Sequence, residues 1–579
     1  MDFSPKSGPR AAILAAEAIS PADVQALRRQ RADRLVRAWS ARVAYVVGAL
    51  ALIFSISPHL LARFTLMGDM AELLGWSTAV TSLLIRGALF LLVARGLLNG
   101  HRIAWLVAVG CLLVEVIWQM AADANPAAAI VLGIGAAWLF TRLRAFPVTP
   151  SAGQVRQAAI WLSCLAGASM LAIIARWLGA IRPERAFATA SHLVSLVGVG
   201  AAALFGWLAV WWLLSPRPAT RPTPAEHVAD RERARAVLRR FGGGSLDHFA
   251  LNDQKDWFFT GHTVVPYTVR SGVCLVSPDP IGPAAERVAS LAAFGNWVVR
   301  QGWSLAVMGA TEQWLDIYRA AGLRVVYMGD EAIAHAPAFS LDGHRNRSLR
   351  HSVNRVARTH HLTLLDPAKL DETDPKLRAQ IEDMFGESRR GQDERGFSMG
   401  LGRLFDPNDT GLLMSVTRNE AGRVDAICQW VPAPGMNGWS LDIMRRRVAG
   451  DGLPNGLVEF TIAETLLQMG RHGEDGLCLN FAAFREIFEG ERPVPFAPVT
   501  RPILNLVNNS AQLESLADFN RKFRPCWVHR YLAMEPLEKF PWQLMAVVGA
   551  EDVDEIPVIG RIANWVGSPD RSPLAGTPA

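Results

Sequence analysis

The apolar residues of this chain gather at one end, and that asymmetry limits its fold more than any other feature. Before Pro216 they form six runs: Val43–Ser57, Thr78–Leu98, Ile103–Ala122, Pro126–Leu143, Ala158–Ile181 and Ser191–Leu214. Each lies near the ~20 residues that carry a helix across a hydrocarbon core. Residues 43–214 are therefore expected to form an N-terminal α-helical membrane bundle of about six transmembrane helices. The balance of charge agrees. Only 19% of residues are charged and the mean hydropathy is +0.17, whereas soluble domains carry about 25% charged residues. Arg86, inside the second run, reads either as a charge turned into the bundle or as part of a pathway.

Residues 1–42 are polar and hold Arg28, Arg29, Arg31, Arg34, Arg37 and Arg42. A secretory signal has a short basic region followed at once by an apolar run, so this stretch is read as a basic N-terminus on the cytosolic side. Six crossings return the chain to that side at Pro216, which places the remainder in the cytosol, below the plasma membrane. The formal charge of +6 suits an anionic partner, lipid or nucleic acid. The six cysteines are scattered without a CxxC pair, so neither a disulfide framework nor a zinc cage is expected. Phosphate-loop and dinucleotide fingerprints are missing in the context they need. No metal and no cofactor is expected.

From about Ala225 the composition turns soluble. SPRPATRPTP (Ser215–Pro224) reads as a stiff linker, and the basic stretch after it as a surface helix stopped at Gly242–Gly244, so 215–245 is linker and helix. Short apolar strands then alternate with helices: Thr263–Val269 and Val273–Ser277 as a hairpin, a helix near Ala284–Arg300, strand Ser304–Gly309, helix Glu312–Gly322 and strand Arg324–Gly329. The order recurs in the hairpin within Gly411–Ala433, strand Trp439–Arg445, helix Asn455–Gly470 and strand Leu477–Ala482. This implies a C-terminal α/β part built as two tandem layers, residues 246–343 and 362–540. A tail at 541–579 reads as flexible.

The joint at 344–361, HRNRSLRHSVNRVARTHH, has no acidic residue. On a helix, Arg347, Arg350, Arg355 and Arg358 fall within about a 140° arc, opposite Leu349, Val353 and Val356. One face packs while the other presents guanidinium groups. Such a face is a solvated basic surface, an RNA-binding track or a lipid-phosphate contact.

Eight segments in order then resemble the C-terminal synthase domain of the lysyl-phosphatidylglycerol synthase (multiple peptide resistance factor) family. They are LNDQKDWFF (Leu251–Phe259), VSPDPIG (Val276–Gly282), SLRHSVNRV (Ser348–Val356), ERGFSMG (Glu394–Gly400), FDP (Phe405–Pro407), WSLDIMRRR (Trp439–Arg447), LPNGLVEF (Leu453–Phe460) and FNRKFRPCWVHRYLA (Phe519–Ala533). LNFA (Leu479–Ala482) matches in part, lacking the family's glycine and methionine. The resemblance implies tandem GNAT-like acyltransferase folds joined by a basic helix, with aminoacyl transfer, most simply lysyl, from aminoacyl-tRNA to the glycerol hydroxyl of phosphatidylglycerol. Resistance to cationic antimicrobial peptides would follow.

Such a transesterification needs the amino acid held by its ammonium, the oxyanion stabilised and the acceptor placed in line. The motif match assigns Asp442 to the ammonium and Arg445 to the terminal phosphate or carbonyl as the catalytic pair. The simpler alternative is a structural ion pair. In a strand, 442 and 445 face opposite sides unless a bulge intervenes. Asn455 and Gly456 open a helix whose free N–H groups suit a phosphate or oxyanion, unless Asn455 merely caps it. Glu459, Asn480, Phe397 and Ser398 are assigned to the substrate pocket. Lys522 and Arg530 join the basic helix as tRNA contacts, contact a lipid headgroup, or stand as solvated surface. Asp279 reads as a turn former, with a catalytic group as the alternative. Two other classes remain open: an acyl-coenzyme A-dependent N-acyltransferase, and a non-catalytic transporter or sensor with a degenerate synthase domain.

Overall fold

The computed structural model describes residues 20–56, 76–121, 126–181, 185–219, 222–389, 397–448, 453–492, 513–536 and 538–550. The chain divides into two compact units. One comprises Arg28–Pro218 with Gly295–Ser304, the other Ala219–Phe294 and Leu305–Ala579 with the first 27 residues.

Where they are described, the six apolar runs are helical, the fourth as far as Phe140: α1 (Pro21–Ile56), α2 (Trp76–Leu98), α3 (Arg102–Ala121), α4 (Pro126–Phe140), α5 (Ala152–Ile181) and α6 (Arg185–Leu213). The first helix starts earlier than expected. Residues 21–47 hold no glycine and, after Pro21, no proline, so good helix formers carry the Arg-rich stretch without a break into the apolar run. Arg34 and Arg37 are buried along it. Three described helices, Pro21–Ile53, Ala152–Ile181 and Thr189–Leu213, are long and apolar enough to cross a membrane. In α1–α4 the core is built from Ala41, Leu92, Val93, Leu97, Ala104 and Trp105. The Trp105 indole N–H donates to Leu139 O at 2.8 Å, tying α3 to α4. Along α5 and α6 large apolar side chains such as Ile173, Trp177, Val197 and Val199 face outward. Only an apolar solvent makes such a surface inexpensive.

The second unit is an α/β fold on one mixed sheet. Its strands are β1 (Asp256–Thr260), β2 (Thr263–Arg270), β3 (Val273–Val276), β4 (Ser304–Ala310), β5 (Arg324–His335), β6 (His360–Leu365), β7 (Leu413–Asn419), β8 (Val424–Ala433), β9 (Gly438–Arg446), β10 (Gly476–Ala483) and β11 (Cys526–Met534). They lie in the order β1-β2-β3-β4-β11-β5-β10-β9-β8-β7-β6. The strands of each α/β half keep together, except that the last strand, β11, inserts between β4 and β5. Strands β1, β6 and β11 were not recognised as strands in the sequence. Each mixes charged or polar residues into its run (DWFFT, HHLTLL, CWVHRYLAM), which blurs the alternation that marks a strand.

Helices cover both faces. The α7 (Pro224–Phe241), α8 (Arg287–Arg300), α9 (Glu312–Ala320), α10 (Arg347–Val356), α11 (Pro375–Arg389), α12 (Leu457–His472), α13 (Arg485–Phe488), α14 (Leu513–Arg521) and α15 (Phe540–Ala550) segments follow in chain order. Along β8 the two faces separate cleanly. Ala426, Cys428 and Trp430 pack with Leu466 and Met469 of α12. Ile427 packs with Ile381 and Met384 of α11, and Val431 with Met399 and Leu401. Two expectations are corrected. The α7 helix is no mere surface helix, since Arg231 and Arg235 are buried on it. Residues 541–550 belong to a packed helix, with Ala546 and Ala550 in the core and Gly549 O accepting from Arg270 at 2.8 Å. Residues 551–579 of the expected flexible tail lie outside the described residues.

Candidate active site

Strands β9 and β10 run parallel but pair only at Gly438–Gly476, Trp439–Leu477 and Ser440–Cys478. Beyond that point β9 continues to Arg446 along β8, and β10 to Ala483 along β5. Among the described residues their facing edges are no longer joined. The sheet thus opens between them, leaving strand edges available to a ligand.

Asp442 sits where this opening begins. Gln429 pairs with Ile443 and Trp430 with Leu441, so Asp442 is the extra residue of a bulge. It is half-buried. Its Oδ1 accepts from Leu401 N at 2.7 Å and its Oδ2 from Gln429 Nε2 at 2.7 Å. Gln429 belongs to the face covered by α11, as does Arg445, which pairs with Ile427. The bulge thereby sets Asp442 and Arg445 on one face despite a spacing that alternation would put on two.

The 397–412 segment is pinned over this face by a buried charge cluster. The Asp409 carboxylate, 3% exposed, receives Arg231 Nη2 at 2.7 Å, Arg403 Nε at 2.8 Å and Arg235 Nη2 at 3.3 Å. Arg403 O in turn accepts from Gln429 Nε2 at 3.1 Å. Ser398 is buried in this segment. Phe397 is not pocket wall. It is 1% exposed in a core with Val273, Leu275 and Met308, and the buried Lys255 ammonium lies 4.8 Å from its ring centre.

The helix-start residues belong to the other face. The N-cap of α12 is Gly456 at φ +99°, without a side-chain cap, and Asn455 is exposed. Capping by Asn455 is thus replaced by a left-handed glycine, which suits a close approach: a Cβ there would meet Ser352 Cβ of α10 at 2.9 Å. Glu459 accepts from Lys522 Nζ at 2.9 Å, and Lys522 stands exposed beside it. Asn480 lies on β10, with its side chain outside the described residues.

The basic helix is shorter than its sequence reading. It ends at Val356, with Leu349, Val353 and Val356 buried as expected. Arg347 and Arg355 are exposed on it, and Arg358 is exposed in the turn beyond it. Arg350 is half-buried and donates through Nη1 to Leu341 O at 2.8 Å and Gly343 O at 3.1 Å, bracing the turn before the helix. Arg530 is a clear correction: it is 6% exposed and bonded to Glu331 at 2.5 Å and to Ser245 Oγ at 2.9 Å. Asp279 is a buried acceptor for Thr311 N at 2.8 Å, Thr311 Oγ1 at 2.8 Å and Tyr318 OH at 2.7 Å. Burial, opposed by those bonds, leaves its carboxyl pushed up to about 6.

Sequence reasoning missed a second polar cluster. His529 Nδ1 lies 2.7 Å from Asp330 Oδ1, while Asp330 Oδ2 accepts from Arg485 Nε at 2.6 Å and Tyr327 OH at 2.8 Å. Glu486 Oε1 is 3.6 Å from His529 Nε2, and its other oxygen accepts from Arg492 Nε at 2.7 Å. Asp330, Glu486 and His529 have ligand atoms within 4.8 Å of one another, but a cation there would meet two guanidiniums already holding the carboxylates. A cavity of about 270 Å³ adjoins, lined by Arg485, Glu489, Asp518 and Arg521 with Ala483, Phe488 and Ala517. Asp330, Glu486 and His529 lie on three separate elements, β5, α13 and β11, and no local spacing in the sequence joins them.

The stretch that builds this geometry is similar to known proteins. The family model described as "Phosphatidylglycerol lysyltransferase, C-terminal" matches residues 235–534. A "Lysylphosphatidylglycerol biosynthesis bifunctional protein LysX" of Rhodococcus opacus is 34% identical over 338 residues, covering 57% of this chain and 30% of its own length. A protein of the same description from Mycolicibacterium gilvum is 29% identical over 570 residues, covering 92% of this chain and 51% of its own. The chain thus spans about a third to a half of the length of these relatives. Among solved structures, the L-PGS of Bacillus licheniformis aligns with a TM-score of 0.48 at 19% identity, over 59% of this chain and 97% of that one.

Proposed function

This chain belongs to the family of phosphatidylglycerol lysyltransferase C-terminal domains, and from that premise we propose that it is a membrane-bound aminoacyltransferase. It moves an aminoacyl group, lysyl by family likeness, from aminoacyl-tRNA to the glycerol hydroxyl of phosphatidylglycerol. All six apolar helices span the membrane, and the catalytic unit works on the cytosolic side. The observation that carries this reading is Asp442, a half-buried carboxylate set by a bulge at the mouth of the sheet opening, with Arg445 on the same face.

The donor ester is already activated, so catalysis rests on positioning and electrostatics. Asp442, held by Leu401 N–H and the Gln429 amide, accepts from the donor ammonium. Arg445 contacts the ester carbonyl or the terminal phosphate as charge develops. Exposed Arg347, Arg355 and Arg358 bind the tRNA backbone.

The test is lipid mass spectrometry of a host with and without the protein. Aminoacylated phosphatidylglycerol should appear with the wild type and vanish with Asp442→Ala. An unchanged lipid profile, or full product from the variant, overturns the reading.

A further inference from the structure

We propose that Gln429 is a second substrate-contacting residue, its Oε1 accepting from the same protonated primary amine that Asp442 binds. The inference rests on the aminoacyl-transfer reading and extends it to a residue that no sequence motif singled out.

Gln429 is 0% exposed in the middle of β8. Its Nε2 donates to Asp442 Oδ2 at 2.7 Å and to Arg403 O at 3.1 Å. Those two acceptors fix the orientation of the amide, because a flipped one would set oxygen against oxygen. They also use both amide hydrogens. Oε1 is left with no hydrogen-bond partner among the described residues. Buried acceptors are normally partnered. In the segment above, Leu401 N is already given to Asp442 Oδ1. The same face is apolar on either side, with Ile427 packed under α11 and Val431 against Met399 and Leu401.

An ammonium group resolves this arrangement. It has three donors in one compact head. Nε2 already touches Asp442 Oδ2, and one ammonium nitrogen seated between Oε1 of the same planar amide and that carboxylate meets both acceptors. The carboxylate supplies the single balancing charge, and the amide supplies a further acceptor without a second charge to bury. Asp442 is half-buried, so the approach is from the side that solvent reaches. An α-N-acetylated donor loses both the charge and two of the three hydrogens, and this pair of acceptors discriminates against it.

The experiment uses the full chain in phosphatidylglycerol-containing detergent micelles. Lipid product is followed with lysyl-tRNA and with its α-N-acetylated form. Gln429→Met should raise the donor KM about 10- to 100-fold, the range expected for a hydrogen bond to a charged group, with kcat little changed. The preference for the free amine should fall by a similar factor. An unchanged KM and preference beside an active wild type overturn the role of Gln429 alone, as expected if Oε1 meets only a water molecule. A wild type that makes no aminoacylated lipid overturns the transferase reading and this inference with it. If Gln429→Met fails to fold, Gln429→Glu decides. It keeps an oxygen acceptor but sets two carboxylates together, so lysinamide should raise its melting temperature more than that of the wild type. An equal or smaller rise overturns the proposal.

Discussion

Arg530 and Glu331 form a buried ion pair at 2.5 Å, with Ser245 Oγ bonded to both. Removing one partner strands the other charge without water, at a cost of about 3–5 kcal/mol. Arg530→Met should therefore lower the unfolding midpoint sharply, and Arg530→Met with Glu331→Leu should recover much of it. Affinity for tRNA at a fixed salt concentration should be the same in the folded double variant as in the wild type. Thermal unfolding of the purified protein, together with a filter-binding measurement, checks both statements.

The exposed arginines should behave in the opposite way. Reversing Arg347 and Arg355 to Glu leaves the buried side of α10 intact, so stability should hold. Binding of tRNA should weaken at all sequences, and the slope of log affinity against log salt should fall by about one for each phosphate no longer neutralised. Arg350→Ala should instead loosen the turn at Leu341–Gly343, whose carbonyls it braces, and show itself mainly in the melting temperature. Equal effects of Arg350 and Arg355 on the salt slope would count against this division.

These contrasts also mark how far the sequence could be read. The six helices, the β2–β3 hairpin and the buried side of α10 follow from periodicity, which is local. The sequence shows that only a bulge can set 442 and 445 on one face, but whether and where it occurs depends on register with β8. Arg530 and Lys522 looked alike, two cations in an aromatic-rich stretch. What separates them is the partner each meets, Glu331 and Glu459, which lie 199 and 63 residues away. Burial of a charge by a distant opposite charge has no local signature. The same holds for His529 and Asp330, brought together only because β11 inserts beside β5.

Stability should depend on pH through two buried groups of opposite sign. Burial, aided by Arg235 and Arg231 and opposed by Asp409, holds the His248 imidazole down to about 4 from its ordinary 6.5. The folded state therefore binds fewer protons than the unfolded state between those values. The contribution of His248 is fully present above pH 6.5 and is lost as pH falls through 4, up to about 3 kcal/mol. Asp279 runs the other way: raised to about 6, its contribution is complete below its ordinary carboxyl value and lost as pH rises through 6. His248→Phe should flatten the acid side of a plot of melting temperature against pH from 4 to 6.5. Asp279→Asn should steepen that side by removing the opposing trend. Parallel curves for all three proteins would show that neither group titrates as described.

Gly456 carries two separable demands, and a double-variant cycle should divide them. Its φ of +99° is a left-handed conformation that costs a residue with a Cβ about 1–3 kcal/mol wherever it occurs. Its approach to α10 is a second demand, because an added Cβ would stand 2.9 Å from Ser352 Cβ. Gly456→Ala should thus destabilise by both terms. Ser352→Gly alone should cost about 0.5 kcal/mol, the difference in helix propensity between serine and glycine. If the clash matters, the double variant should be more stable than the sum of the two single effects, and the difference measures the steric part. The backbone part should persist, so the double variant should still melt below Ser352→Gly. Transfer activity should fall with Gly456→Ala even where the protein stays folded, since the α12 N-terminus and Glu459 move with that residue. An additive cycle would mean that α10 yields to the methyl group, leaving φ as the only constraint at this position.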